Sequence, residues 1–273
     1  MYPWVSNVGI QVERLSIMRV LTQKLFQFGL KFAPLFYRRH AGQSTVIQHI
    51  NDTTRMRIRV NTFDKQAIYE VWKMKEYETE HFIIHPGEVI IDIGAHIGTF
   101  SVWAAQKAAS GRVISFEPNP ENYALLEENR DLNELTNLYI VNSAVSAGRG
   151  QAKLFTSNYH NMTHSFFEEG TRDHTLVDTL SLSDILQEFS LAKVHFLKID
   201  AEGAEYQIIL NTPAEVLLRI DKIFIEYHDY LDHGYTYKDL IGYLAENGYK
   251  TETGASAFHR HILKMGLIKA HRV

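Results

Sequence analysis

The sequence predicts an α/β fold in which a doubly wound, mostly parallel sheet of seven strands follows an N-terminal helical and hairpin extension. Short apolar runs rich in β-branched residues, such as residues 89–93, alternate with stretches of helical spacing, and a glycine-rich turn follows the first run. Strands buried on both faces of a parallel sheet are continuously apolar, and parallel neighbours need a crossover helix. We therefore predict the extension at residues 1–80 and the main domain at residues 81–273.

Each element of the main domain follows from its local pattern. We predict strands at 89–93, 112–117, 138–142, 194–199 and 222–227, a final strand pair at 249–253 and 258–264, and helices at 98–109, 120–131, 203–210 and 237–246. Residues 156–176 have no period. A loop of this length in a compact domain is more often functional than decorative, so this segment is a candidate lid or acceptor-binding loop.

The extension carries weaker patterns. Residues 45–60 predict a β-hairpin around Asn51-Asp52, and residues 65–75 predict a helix. Apolar residues within 10–37 recur at helical spacing, which indicates an amphipathic helix or two shorter ones. Its charges are almost all basic, so contact with a membrane surface or a partner protein is one interpretation. We favour the other, in which the apolar stripe packs on the domain or on a second subunit of a homo-oligomer.

Composition narrows the class of protein. Hydrophobic residues make up 45% and charged residues 22%, as in soluble globular proteins. The formal net charge of −4 provides no global positive field, so nucleic acid is not an expected partner. The chain has no cysteine, which excludes disulfides, thiolate metal sites and a cysteine nucleophile. No stretch reaches the ~20 uncharged apolar residues of a membrane span, and no apolar signal segment is apparent, so we expect a cytoplasmic protein.

The strongest chemical signal is the sequence DIGAHIG at residues 92–98, which joins the first predicted strand to a helix. Glycines tolerate the dihedral angles of a tight turn and let the backbone approach a ligand closely. Asp92 is placed where its carboxylate reaches the ammonium group of a methionine moiety, directly or through water. Glu117, at the end of the next strand, is placed to accept hydrogen bonds from both hydroxyls of a ribose.

Two other kinds of nucleotide ligand need a different glycine motif in the protein. A nicotinamide dinucleotide needs G-x-G-x-x-G, and a nucleoside triphosphate needs a P-loop that ends in Gly-Lys-Ser/Thr. Here Gly94 and Gly98 are four positions apart, and the charge of Asp92 disfavours a pyrophosphate but suits a cationic ligand. The residues therefore favour S-adenosylmethionine.

Six segments stand in a characteristic order along the chain. They are PGEVIIDIGAHIG at 86–98, FEPNP at 116–120, NSAVS at 142–146, TLSLSD at 179–184, LKIDAEGAE at 197–205 and IEYH at 225–228. Together they resemble the FkbM family of methyltransferases, within the seven-stranded, Rossmann-like methyltransferase superfamily. The resemblance implies methyl transfer from S-adenosylmethionine, usually to a hydroxyl oxygen of a sugar, a lipid-linked saccharide or a secondary metabolite.

The resemblance also implies which residues contact the cofactor. These are Asp92, Gly94, Ala95, Gly98, Glu117, Asn119, Ser143 and Ala144. We add His96, which stands where the family more often has asparagine, and Asp200, which follows the fourth strand of the domain. Glu78, shortly before the first sheet strand, is a further candidate that covers the methionine end of the cofactor.

Two acidic segments are predicted to meet at the carboxyl edge of the sheet, where ligands bind in open α/β folds. Asp200 and Glu202 follow one strand, and Glu226 and His228 follow the next. Methyl transfer is an in-line displacement that needs alignment of the acceptor and a base for its proton. His228 is our first candidate for this base, because an unperturbed imidazole is largely neutral at physiological pH. Asp200 is the second, and Glu202 completes the predicted catalytic set.

Other roles stay open for the same residues. His228 is alternatively a hydrogen-bonded structural histidine. Asp200, Glu202 and Glu226 are alternatively ligands of a divalent metal, since hard cations prefer carboxylate oxygens. Because acidic residues are common at this edge of a sheet, we expect no metal.

The predicted function is O-methylation of a hydroxyl on a sugar, a glycan or a small-molecule metabolite, with S-adenosylmethionine as the donor. One alternative is methylation of RNA or protein. An amino-directed nucleic-acid enzyme is expected to carry an Asn/Asp-Pro-Pro-Tyr/Phe turn after the fourth strand, where this chain has DAEG at 200–203. Another alternative is a non-catalytic cofactor-binding scaffold that assembles through the N-terminal helix.

Overall fold

The computed structural model describes residues 44–156, 164–165, 174–229, 234–254 and 264–272. The predicted helix at 10–37, with the membrane, partner and oligomer contacts considered for it, lies outside these residues, and so does most of segment 156–176. Within the described ranges, no helix is both long and apolar enough to cross a membrane.

The strands and helices are numbered here in chain order. The strands are β1 (Thr45–His49), β2 (Arg55–Arg59), β3 (Val89–Ile93), β4 (Arg112–Phe116), β5 (Leu138–Val141), β6 (Ala144–Val145), β7 (Gly150–Thr156), β8 (His164–Ser165), β9 (His174–Leu180), β10 (Phe196–Asp200), β11 (Lys222–His228), β12 (Tyr249–Gly254) and β13 (Met265–Arg272). The helices are α1 (Asp64–Ile68), α2 (Thr99–Ala108), α3 (Pro120–Leu132), α4 (Leu182–Glu188), α5 (Glu205–Leu210), α6 (Ala214–Leu217) and α7 (Tyr237–Glu246). The π-helical segment Tyr69–Met74 continues α1. The elements predicted between residues 45 and 254 are all present, with bounds within two residues of the prediction.

The central sheet is mostly parallel. Among the described residues it has seven strands in the order β12-β13-β11-β10-β3-β4-β5. The strands from β11 to β5 run parallel, and β13 is antiparallel to both of its neighbours. The doubly wound sheet predicted from the apolar runs is therefore confirmed. Because β10 lies beside β3, the two strand ends that carry most of the predicted site meet in the middle of the sheet.

Two hydrophobic clusters cover the two faces of this sheet. Ile91 and Leu197 belong to one cluster, and their chain neighbours Ile90 and Phe196 belong to the other. Successive side chains of a strand point to opposite faces, so these strands are buried on both sides. This is why these strands are mostly apolar in the sequence.

The predicted hairpin packs on α3 through reciprocal hydrogen bonds. Arg57 donates its backbone N–H to the Asn129 side chain at 2.6 Å, and the Asn129 amide donates to the Arg57 carbonyl at 3.0 Å. Asn133 makes the same exchange with Arg55, at 3.0 Å and 2.6 Å. The side-chain amides of α3 thus satisfy backbone groups of β2, which joins the hairpin firmly to the main domain.

A second sheet, which the sequence patterns did not predict, lies beside the central one. Within the described residues its strand order is β6-β9-β7-β8. Strand β9 begins with three exposed residues, so its polar and apolar positions do not alternate and no strand signal appears in the sequence. The final strand β13 begins at Met265, later than the predicted 258–264. Its residues alternate between buried and partly exposed, and this period continues well beyond the predicted end.

The turn after β3 supplies a test of the fold. We expect Gly94→Ala to lower the free energy of unfolding by about 3 kcal/mol or more, because Gly94 has a φ of +75° and a Cβ there would overlap the Asp200 carbonyl oxygen. Gly242 lies inside α7 with open space at its Cβ position, so Gly242→Ala should raise that free energy by up to about 1 kcal/mol. Urea denaturation measures both changes. Equal effects of the two substitutions would contradict the close packing of this turn on β10.

Candidate active site

The glycine turn between β3 and α2 is shaped by its neighbours in the protein. Gly94, His96 and Gly98 all have positive φ, at 75°, 53° and 88°. A Cβ on Gly94 would overlap the carbonyl oxygen of Asp200, and a Cβ on Gly98 would lie 2.5 Å from Leu126 Cδ1. The glycines are therefore required by the turn itself and by its close approach to β10 and α3. From the sequence alone, the close approach of a ligand is a second expected reason for these glycines.

Asp92 lies beneath the turn and is fully buried. Its Oδ2 accepts a hydrogen bond from the Ser101 hydroxyl at 2.6 Å, and its Oδ1 lies 3.1 Å from Lys198 Nζ. Lys198 faces Asp92 across the β3–β10 pair and also donates to the Gly94 carbonyl at 3.0 Å. The carboxylate of Asp92 thus holds the turn through a buried ion pair.

Lys198 is a residue of the site that the sequence reasoning missed. Burial by itself lowers the pKa of Lys198, but Asp92 and Asp200 outweigh that effect and raise it, so the side chain is a permanent cation. A signal was present in the sequence, because a single lysine interrupts an otherwise apolar strand. Lysine is almost never fully buried unless it is paired.

Glu117 follows β4 and is 5% exposed. Its Oε2 accepts the backbone N–H of His96 at 2.7 Å, and its Oε1 accepts the backbone N–H of Asn119 at 2.9 Å and the side-chain amide of Asn122 at 3.4 Å. Burial raises the pKa of Glu117 to about 7, against the opposing effect of these donors. The turn and the start of α3 thus hold this carboxyl in one position.

His96 connects the turn to the hairpin. Arg59, at the end of β2, contacts His96 Nε2 at 2.8 Å and donates to both carboxylate oxygens of Asp64 and to the Asn122 side chain. Burial opposes the charge of Asp64, but His96 and Arg59 outweigh it and lower the pKa of Asp64. The extension therefore supports the turn directly.

Three of the other predicted cofactor contacts lie around the start of α3 and the first strand of the second sheet. The Asn119 side chain accepts the backbone N–H of Glu121 at 2.9 Å and caps α3. Ser143 is buried and donates its hydroxyl to the Asp178 carbonyl at 2.8 Å. Ala144 is buried in β6. These residues border the strand ends of β4 and β5, next to Glu117.

Glu78 lies elsewhere. Its carboxylate is 3.3 Å from Lys107 Nζ, in the last turn of α2, and 3.6 Å from Lys75 Nζ. Since α2 has ten residues and a length of about 15 Å, this position is at the opposite end of the helix from the glycine turn. The structure therefore does not bring Glu78 together with the other predicted cofactor contacts.

The three predicted catalytic residues are brought together. Ligand atoms of Asp200, Glu202 and His228 lie within 4.8 Å of one another. His228 is 2% exposed, its Nε2 is 3.6 Å from a Glu202 oxygen, and its Nδ1 is 3.1 Å from Glu205 Oε1. The same Glu205 oxygen accepts the backbone N–H of His228 at 2.7 Å, and the other accepts that of Gly203 at 2.8 Å. A fully buried carboxylate thus orients the imidazole.

From the sequence, the imidazole of His228 is expected to be largely neutral at physiological pH, but its surroundings in the structure favour the charged form. Burial by itself lowers the pKa of His228, but Glu202 and Glu205 outweigh it and raise the pKa well above its usual value. In the cofactor-free protein, these surroundings favour the imidazolium. The role of His228 as a general base stays a prediction, and it requires an event that removes this proton.

Three further carboxyls approach the same edge of the sheet. Burial, with Glu76 and Asp200 nearby, raises the pKa of Glu70 to about 8. Burial likewise raises the pKa of Glu76, and burial together with Asp200 raises that of Glu226 well above its usual value. We call Glu70, Glu76, Asp200 and Glu226 the acidic cluster. A concentration of partly buried carboxyls suits a cationic ligand such as a sulfonium or an ammonium group.

A family model described as the methyltransferase FkbM domain matches residues 92–251. The chain belongs to this FkbM family. The matched range begins at Asp92 and contains Glu117, Asp200 and His228, so it covers both the turn and the acidic edge of the central sheet. The protein is thus an S-adenosylmethionine-dependent methyltransferase, as the resemblance of its motifs implied.

Similarity to curated relatives extends over most of the chain. The chain is 26% identical to the hexuronic acid methyltransferase AglP of Haloferax volcanii over 198 residues, which cover 70% of this chain and 78% of that protein. It is 24% identical to the 31-O-demethyl-FK506 methyltransferase FkbM of Streptomyces tacrolimicus over 201 residues, 62% of this chain and 77% of that protein. The alignments thus span about three quarters of each relative.

Among solved structures, the FkbM-family chain resembles M. jannaschii TYW2 in complex with AdoMet. The TM-score is 0.46, the sequence identity is 17%, and the match covers 86% of this chain and 90% of the other. This similarity is weak, and the family assignment does not depend on it.

The raised pKa of Glu70 predicts how stability depends on pH. A carboxyl with a pKa near 4.5 when unfolded and about 8 when folded stabilises the fold at low pH, and this contribution is lost as the pH rises from about 5 to about 8. We expect the cofactor-free protein to lose on the order of 1 kcal/mol of stability per pH unit in that window through this group.

Denaturation at several pH values, compared between wild type and Glu70→Gln, isolates the effect. Glutamine can still accept the hydrogen bond that the Gln66 amide donates to Glu70, so we expect the fold to be preserved. Only the decrease of the free energy of unfolding with pH that is due to this group should be lost. Glu246→Gln, at an exposed position of α7, is the control and should keep the wild-type slope. Parallel pH profiles for wild type and Glu70→Gln would show that this carboxyl is not perturbed.

Proposed function

We propose that this enzyme transfers the methyl group of S-adenosylmethionine to a hydroxyl oxygen of a sugar, a glycan or a small-molecule metabolite. The observation that carries the proposal is the convergence of Asp200, Glu202 and His228 beside the glycine turn, with ligand atoms within 4.8 Å. A hydroxyl is a weak nucleophile, so its methylation needs a proton acceptor next to the donor. Two relatives support this acceptor class, since their names specify a hexuronic acid and an O-demethyl compound.

On the donor side, we assign the ribose to Glu117. Its Oε2 accepts one N–H, from His96, and a carboxylate oxygen has a second lone pair for a ribose hydroxyl. The methionine end then lies near the turn and Asp200, where the acidic cluster matches its positive charges. The proposed donor contacts are Gly94, Ala95, His96, Gly98, Glu117, Asn119, Ser143, Ala144 and Asp200. Asp92 acts on the turn through Lys198.

S-adenosylmethionine supplies an electrophilic methyl group on a sulfonium. The acceptor oxygen forms the new C–O bond as the C–S bond breaks, S-adenosylhomocysteine leaves, and the hydroxyl proton passes to the protein. Asp200 and His228 are the candidate proton acceptors, and Glu202 is placed to orient the acceptor between them. Because Asp200 and His228 lie at the ends of β10 and β11 and Glu205 holds the imidazole, the protein can align the acceptor before reaction.

The acceptor class is tested with methyl-labelled S-adenosylmethionine and fractionated acceptors. We expect label in hexuronic-acid glycans or hydroxylated metabolites, with one S-adenosylhomocysteine formed for each methyl group transferred. Bovine serum albumin and total RNA are offered in parallel. Transfer to RNA or protein alone would overturn the proposal, and so would donor binding without any transfer.

The donor site is tested by Glu117→Gln. Loss of a charged acceptor of hydrogen bonds costs about 1.5–3 kcal/mol, so S-adenosylmethionine should bind roughly 10- to 100-fold more weakly. Glu127→Gln, on the exposed side of α3, is the control and should bind as wild type. Isothermal titration measures the three affinities, and circular dichroism checks the fold. Unchanged affinity in Glu117→Gln would show that the ribose binds elsewhere.

A further inference from the structure

We propose that Asp200, Glu202 and His228 form a binding site for a divalent cation, with Glu205 as the residue that positions the imidazole. The catalytic use of this ion rests on the proposed function, but its binding does not. From the sequence, the alternative ligands are Asp200, Glu202 and Glu226, and no metal is expected. In the structure the third ligand close to Asp200 and Glu202 is His228 and not Glu226.

The spacing of the three side chains suits a metal ion. Their ligand atoms lie within 4.8 Å of one another, and the Nε2 of His228 is 3.6 Å from a Glu202 oxygen. Oxygen and nitrogen ligands at about 2.1–2.3 Å from a divalent ion are separated from each other by about 3–4.6 Å. An ion can therefore enter between these atoms with small side-chain adjustments. The two carboxylates suit Mn²⁺, and the imidazole favours a transition-metal ion over Mg²⁺.

The contacts of Glu205 are an independent reason to read this group as a metal site. Glu205 is fully buried, and its Oε1 lies 3.1 Å from His228 Nδ1. A carboxylate oxygen can only accept here, so Nδ1 carries a proton and Nε2 is the atom directed to Glu202. A histidine that binds a metal almost always donates its other ring N–H to a carboxylate, a carbonyl or water. Glu205 itself is held by the N–H of Gly203 at 2.8 Å.

A competing arrangement explains the same contacts without a metal. His228 can be a buried imidazolium between Glu202 and Glu205, which neutralises part of the surrounding negative charge. The two arrangements exclude each other, since a metal on Nε2 replaces the proton there. They therefore differ in whether an added cation binds at His228.

The position of the site gives the ion a role. The Asp200 carbonyl lies directly against Gly94 of the donor turn, so the site is adjacent to the place proposed for the methionine end. A divalent ion there would bind the acceptor hydroxyl and lower its pKa. In this arrangement Asp200 and His228 would hold the ion and would not accept the proton. The acceptor oxygen would form a bond to the methyl carbon as the C–S bond breaks, and its proton would leave to water or to a carboxylate that does not bind the ion.

Binding of Mn²⁺ alone, without donor or acceptor, tests the site in the full-length protein after treatment with a chelator. We expect saturable binding of one ion per chain by electron paramagnetic resonance. Pulsed measurement should detect a nitrogen nucleus coupled to the ion in the wild type. Absence of binding, or binding without a coupled nitrogen, would favour the imidazolium and overturn the proposal; neither result requires a variant that folds.

Variants assign the ligands. Asp200→Asn and His228→Gln should each weaken Mn²⁺ binding at least tenfold, and the nitrogen coupling should be lost only in His228→Gln. Glu205→Gln should weaken binding about tenfold but keep the coupling, which marks it as a positioning residue. Asp131→Asn, at an exposed site on α3, is the control and should bind as wild type. Undiminished affinity in both Asp200→Asn and His228→Gln would place the ion elsewhere.

Methyl transfer separates this inference from the proposed function. If the chelator abolishes transfer to a hydroxyl acceptor and Mn²⁺ restores it, the result supports both the metal site and the proposed acceptor class. Full activity in the chelator would contradict a catalytic role for the metal but not the hydroxyl acceptor. If Mn²⁺ binds at His228 and the enzyme methylates only RNA, the metal site is supported and the proposed acceptor class is wrong.

Discussion

The buried ion pair between Lys198 and Asp92 holds together the ends of β3 and β10, beside the proposed donor site. The two residues face each other across β10 and β3, and Lys198 also donates to the Gly94 carbonyl. One cation therefore connects a strand end, the turn that follows it and the neighbouring strand. Removing two such charges from water costs several kcal/mol for each ion, and the cost is offset only where further hydrogen bonds complete the pair, as the Ser101 hydroxyl does here. The benefit of this arrangement is that it specifies one conformation of the turn.

The hairpin completes this construction from the other side. Arg59 reaches both Asp64 in its own extension and His96 in the turn, so a residue outside the matched family domain supports a residue inside it. His96 in turn donates its backbone N–H to Glu117. The hairpin, the turn after β3 and the end of β4 are thus connected to one another.

The surroundings of the glycine turn and the acidic cluster differ in how their charges are compensated. Beside the turn, Glu117 and Asp92 are held by N–H groups, a hydroxyl and one lysine, so each carboxyl has specific partners. In the acidic cluster, Glu70 and Glu226 share a small region with Asp200, and burial makes their charges unfavourable. Such a region gains most from a bound cation, whether this is the sulfonium, the ammonium group or a metal ion.

The sequence by itself determined the order along the chain of the parallel strands of the central sheet and of the helices α2, α3, α5 and α7, the glycine turn and the family. These are properties of local periodicity and of motif order, which can be read along one dimension. It also identified Asp200, Glu202 and His228, because residues after neighbouring parallel strands meet at one edge. It did not show the second sheet, since the exposed start of β9 hides its period.

Only the tertiary structure decided which of the singled-out residues face each other. Glu226 and His228 are two positions apart on one strand and so point to the same face. His228 meets Glu202 because the chain after β10 turns through positive φ at Glu202 and Gly203, at 48° and 101°. Packing likewise brought Glu70 to the sheet edge. The direction of a turn and the side on which a helix packs depend on contacts between distant residues, and such contacts leave no local pattern in the sequence.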